Sequence, residues 1–156
     1  MPDTPEAQAR QPETILAFDF GLRRIGVAVG QSVTQSASPV GAIACRDGTP
    51  EPGKIDAIIA EWRPSRLVVG MPTHADGSPS AMQEQVKAFI ALLNRYALPV
   101  ATIDERYTSL EAGATLKNAR AAGTRGRIGK ADVDAAAAVL IAERFLARER
   151  NVSRPN

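Results

Sequence analysis

A chain of 156 residues, 44% of them hydrophobic and 23% charged, has the material for one domain with a buried core. Its single cysteine, Cys45, excludes a disulfide framework or a cysteine-rich zinc site within one chain and suits a reducing cytosol. A net charge of +2 does not by itself announce a nucleic-acid partner, and the longest apolar run, Ala135 to Ala142, is far too short to span a bilayer.

The predicted elements follow in chain order. Residues 1–13 are polar and carry Pro2, Pro5 and Pro12, which reads as a disordered leader rather than a signal peptide. Ile15 to Phe18 is a continuous apolar run ending on Asp19, the pattern of a strand buried on both faces. Gly21-Leu22-Arg23-Arg24 is a tight turn into a second strand, Ile25 to Val29. Pro39 to Ala44 adds a third, shorter strand suited to an edge, and residues 46–53 form a turn-rich loop. Ile55, Ile58, Ile59 and Trp62 recur at helical spacing until Pro64 ends the helix. Arg66 to Met71 is a buried strand closed by Pro72. Ser78-Pro79, or Ser80 with Gln83, starts a helix whose stripe is Met82, Val86, Phe89, Ile90 and Leu93. Pro99 to Ile103 is the fifth strand, running into Asp104-Glu105-Arg106. A short helix capped by Thr108 or Ser109 reaches about Lys117, and a glycine- and arginine-rich loop covers 118–129. A last helix runs from about Asp132 to Arg148, before a loose tail over 150–156. The expected fold over 14–149 is therefore α/β, with a mixed five-stranded sheet: an initial hairpin and a third strand, then parallel strands joined through helices.

Three carboxylates fall at element ends. Asp19 closes the first strand, and Glu105 follows the last one. If those strands are parallel, both acids emerge at the carboxyl edge of the sheet, where α/β proteins place their ligands. On the last helix Asp134 shares a side with Ala138, Ile141 and Phe145, so it occupies the sheet-facing side near the N-terminus. Each acid alone has an ordinary explanation: a turn hydrogen bond for Asp19, a surface ion pair for Glu105, the helix dipole for Asp134. Together they would repel one another, which divalent cations relieve. Two such ions can activate a water and stabilise the leaving oxygen of a phosphodiester. Basic residues flank this set. Arg23 and Arg24 lie in the hairpin turn, and Lys117, Arg120, Arg125, Arg127 and Lys130 fall in an acid-free stretch interrupted by Gly123, Gly126 and Gly129. They suit a phosphate backbone, although a solvated loop has the same composition. Aromatic residues make up only 4%, which favours recognition of a structured duplex or junction over base stacking of single strands.

Four segments at plausible spacing carry a family resemblance: ILAFDFGLRRIGVAVG, LVVGMPTHADGS, VATIDERYTSLEA and KADVDAAAAVLIAERFL. Over roughly residues 14–148 the chain resembles the YqgF/RuvX family, described as Holliday junction resolvases and as nucleases that process the 5′ end of pre-16S ribosomal RNA. The resemblance implies a ribonuclease H-like fold and catalytic, metal-binding acids at Asp19, Glu105 and Asp134. It also implies Mg²⁺ or Mn²⁺ as cofactor, a structured RNA precursor or branched DNA as partner, a pre-ribosomal particle as setting, and a cytoplasmic location. The chain departs at His74, where the family commonly has Asn, so that loop carries no assignment. Two other readings remain. A strand ending in Asp-x-Gly also resembles the first phosphate loop of the actin/sugar-kinase superfamily, but those proteins enclose ATP between two such domains and this chain has room for one. A binding module that kept the fold without the reaction is the other, and retention of all three acids speaks against it.

Overall fold

A computed structural model of the chain describes residues 12–72, 81–104 and 130–153, excepting the side chains of 130–134 and 151–153. Strands β1 (Thr14–Asp19), β2 (Arg24–Gln31), β3 (Ser36–Arg46) and β4 (Thr49–Pro50) come first. Helix α1 (Lys54–Trp62), β5 (Arg66–Met71), α2 (Gln83–Leu93), β6 (Val100–Asp104) and α3 (Lys130–Ser153) follow. They build one six-stranded sheet in the order β4-β3-β2-β1-β5-β6. β1 pairs antiparallel with β2 and parallel with β5, and β5 pairs parallel with β6, so the mixed sheet with a parallel second half is as expected.

The alternation of side chains sorts the core into two layers. Leu16 and Phe18 of β1, Ile25, Val27 and Val29 of β2, and Leu67 and Val69 of β5 face α1 and α2. Ile15, Ala17, Val68 and Ile103 face α3, meeting Ile141, Ala142, Phe145 and Leu146. β1 is thus covered on both sides, which is why its run from Ile15 to Phe18 is apolar without a polar break. Phe89 of α2 anchors the first layer, with its ring edge-on to Phe18 at 5.6 Å between centroids and tilted on Phe20 at 5.4 Å. Burying such a ring contributes about 2–3 kcal/mol.

Several boundaries differ from the sequence reading. A sixth strand, β4, lies inside the expected 46–53 loop, because two residues are too few to show any periodicity. β3 is longer than Pro39–Ala44 and accommodates its proline beside a bulge opposite Val27 and Ala28. α1 does stop before Pro64 as expected, at Trp62, with Arg63 as its C-cap; the left-handed Arg63 backbone (φ 48°) lets its N–H reach the Ile59 carbonyl at 2.8 Å. α3 begins at Lys130, placing that residue in a helix rather than the basic loop, and continues past Arg148 to Ser153.

The C-terminal half of α3 is tied to the amino edge of the parallel strands. Arg66 at the start of β5 bonds Glu13 (Nε to Oε2, 2.8 Å) and Glu149 (Nη1 to Oε1, 3.1 Å), and its guanidinium lies over the Phe145 ring. Ser65 Oγ donates to Glu13 Oε2 at 3.0 Å, and Arg148 donates to the Thr102 carbonyl at 3.2 Å.

Candidate active site at the carboxyl edge of the sheet

The opposite edge holds the acid that β1 delivers. Asp19 follows Phe18 in the alternation, so it lies on the α3 side of the sheet, opposite Gly26 in register and half-buried. The turn behind it leaves little freedom. A Cβ built on Gly21 would sit 2.6 Å from the Arg24 carbonyl oxygen, so the bend returning the chain to β2 excludes a side chain there. A second turn is docked against this one. Cys45 N–H donates to the Arg23 carbonyl at 2.8 Å, and Gly48 N–H to the Leu22 carbonyl at 3.0 Å. Gly48 adopts φ +84°, and a Cβ at that position would meet the Phe20 ring at 3.1 Å. The β3–β4 turn therefore buttresses the β1–β2 turn, satisfying two of its carbonyls.

Arg23 and Arg24 are both exposed at this turn. Arg24 falls on the α3 side, the side of Asp19, since Ile25 next to it faces the other layer. Arg46 belongs to the same group and escaped the sequence reading, which left it in a loop. Arg24 pairs with Ala44, and Arg46 is two residues further along β3 on the same face. Cys45 between them packs into the α1/α2 layer, where burial pushes its thiol pKa up and keeps it a neutral thiol at neutral pH.

The remaining predicted site residues divide. β6 ends on Asp104, with β5 between it and β1, so the two strand ends are two spacings apart, about 10 Å. Glu105, Lys117, Arg120, Arg125 and Arg127 lie outside the described residues, as does His74. Asp134 and Lys130 belong to α3, and Asp134 stands one turn before Ala138 and two before Ile141, both fully buried against the sheet. The structure thus describes one of the three carboxylates, and among the described residues no group of three metal-ligating side chains occurs. What it does show of the donor set, a half-buried carboxylate at the end of a core strand, suits a hard divalent cation that takes oxygen ligands.

The chain is similar to known proteins in both sequence and fold. A family model described as RuvX, Holliday junction resolvase, matches residues 13–148. A protein of Azotobacter vinelandii, provisionally named pre-16S rRNA nuclease, is 42% identical over 87% of this chain and 94% of its own length. One of Paraburkholderia xenovorans with the same name is 45% identical over 88% of this chain and 90% of its own length. Among solved structures, Thermus thermophilus RuvC in complex with a Holliday junction substrate superposes with a TM-score of 0.53. It is 14% identical and covers 92% of this chain and 99% of its own, which shows that the ribonuclease H-like fold is shared. Among the described residues no helix is long and apolar enough to cross a membrane.

Proposed function

Since the chain belongs to the RuvX family of Holliday junction resolvases, we propose that it is a metal-dependent endonuclease acting on structured nucleic acid, and that it processes the 5′ end of pre-16S rRNA. The observation that carries the reading is Asp19: a half-buried carboxylate at the carboxyl end of β1, the strand where the parallel half of the sheet meets the antiparallel half, fixed by a turn that admits only glycine at position 21. Asp19, Glu105 and Asp134 are the proposed ligands. Their carboxylate oxygens fit Mg²⁺ or Mn²⁺, which when bound would lower the pKa of a water and offset charge on the leaving oxygen. The protein's own part is to orient these carboxylates and to hold the phosphodiester backbone. Arg23 and Arg24 contact phosphates beside Asp19, and Lys117, Arg120, Arg125, Arg127 and Lys130 add backbone contacts further out. The names of the relatives favour the ribosomal precursor, and thus a cytoplasmic protein that meets its substrate on a pre-ribosomal particle. The family's description keeps junction DNA as the second substrate.

The deciding experiment incubates the protein with a 5′-extended pre-16S rRNA and with a four-way DNA junction, in Mg²⁺, Mn²⁺ or EDTA, beside Asp19→Asn. Metal-dependent cutting of the RNA that disappears in Asp19→Asn is expected. Cutting of the junction alone would transfer the assignment to DNA. Binding without cutting in either metal would leave a non-catalytic module.

A further inference from the structure

The carboxyl edge carries a basic element that the reaction as proposed does not use. Arg46 closes β3, is exposed, and has no ion pair among the described residues. Its place follows from the register. Asp19 is opposite Gly26, Gly26 is opposite Ala42, and Arg46 lies four residues beyond Ala42 in the direction leading past the edge. Two strand spacings across and four residues along put the Arg46 Cα roughly 16 Å from that of Asp19. That separation is on the order of a few nucleotide steps along a strand. Among the described residues, only Gly26, Arg24, Ala42 and Ala44 stand between them on the same face, and both alanines are exposed. Asp47, the nearest acid in sequence, lines a cleft with Phe20, Gln85 and Phe89, which puts it toward the opposite layer. The two hydrogen bonds between the turns hold the backbone of residues 45–48 in a set relation to Asp19, so the cation is presented by a rigid frame.

We propose that Arg46 is a phosphate-binding residue, the outer end of a track that carries a nucleic-acid backbone from Asp19 past Arg24 and over Ala42 and Ala44. The proposal rests on the nuclease reading and adds the path of the substrate across the hairpin sheet. Arginine suits the role because its planar fork pairs with two phosphate oxygens at once.

The test measures binding of the fluorescent 5′-extended pre-16S rRNA and four-way junction to the full chain in EDTA, as a function of salt. Arg46→Ala, Arg46→Lys and a control, Arg63→Ala at the exposed end of α1, are compared with wild type. Arg46→Ala should bind about fivefold more weakly near physiological salt, and the slope of log K against log salt should fall by roughly 0.7–0.9, one phosphate contact. Arg46→Lys should keep the slope and lose part of the affinity, while Arg63→Ala should match wild type. At saturating substrate Arg46→Ala should cut at the wild-type rate, so its effect lies in KM. Wild-type affinity and slope in Arg46→Ala, from a protein that binds and cuts in an Asp19-dependent way, would overturn the track and spare the nuclease. A wild-type chain that binds neither nucleic acid would overturn both.

Discussion

The two edges of the parallel sheet use the same side chains to opposite ends. At the amino edge Arg66 is held by Glu13, Glu149 and the Phe145 ring, and Ser65 donates to Glu13, so each of these charges has an opposite charge or a ring against it. The turn leading into β6 repeats this, with Tyr96 O–H donating to Asp56 and Arg95 beside both. At the carboxyl edge Arg23 and Arg24 are exposed in the turn after a half-buried Asp19, and Arg46 is exposed further out on the same side of the sheet as Asp19. Ion pairs between elements hold the amino edge together, while exposed guanidinium groups near a strand-end carboxylate suit a phosphate backbone. On the proposed reading, stability and function fall at opposite ends of the same strands.

That division can be attacked at either end. The largest effect is expected from Gly21→Ala, where the new methyl group meets a backbone carbonyl that cannot rotate away. The β1–β2 turn must shift, at about 2–3 kcal/mol in urea denaturation, and cutting should fall further than stability because Asp19 moves with the turn. If Gly21→Ala leaves both unchanged, the turn is not what positions the acid. Arg66→Ala should lower stability by about 1–2 kcal/mol, through two ion pairs and a cation–π contact that are partly solvent-screened. Cutting per folded molecule should stay at the wild-type level, and a selective loss of activity would contradict a purely structural amino edge.

Tyr96→Phe is expected to cost about 0.5 kcal/mol, with a pH signature. Burial, followed by the hydrogen bond and the charge of Asp56, pushes the Tyr96 pKa from 10.0 up to about 12, against the opposing effect of Arg95. A pKa raised in the folded state means that the contribution is complete below about pH 10 and is lost as pH rises from 10 to 12. Melts of wild type over that window should show an added decline that Tyr96→Phe lacks. Arg23→Ala should be the smallest in stability, within about 0.5 kcal/mol, yet should weaken nucleic-acid binding and reduce its salt dependence. A loss of stability without loss of binding would place Arg23 with the structural arginines.

Much of this was legible in the sequence because it is local. The unbroken run Ile15 to Phe18 marks a strand covered on both sides, and the i, i+3, i+4 spacing of Val86, Phe89, Ile90 and Leu93 marks the buried face of α2. Parallel pairing of β1, β5 and β6 follows from strands alternating with helices. Asp19 was legible because a carboxylate ending such a run has to be held by something. Its proposed companions rest on the sequence and the family, since Glu105 and the Asp134 side chain lie outside the described residues.

By itself, then, the sequence determined the order and type of most elements, the mixed sheet and the end of β1 as the place to look. Only the tertiary structure decided which arginines share a face with Asp19, and that Arg46 is one of them. Facing is set by register, and the register of β3 depends on a bulge opposite Val27 and Ala28 and on two hydrogen bonds between turns more than twenty residues apart. No periodic signal in residues 46–53 carries that information, because the contacts that order β4 and its turn come from Leu22, Arg23 and Phe20, in another part of the chain.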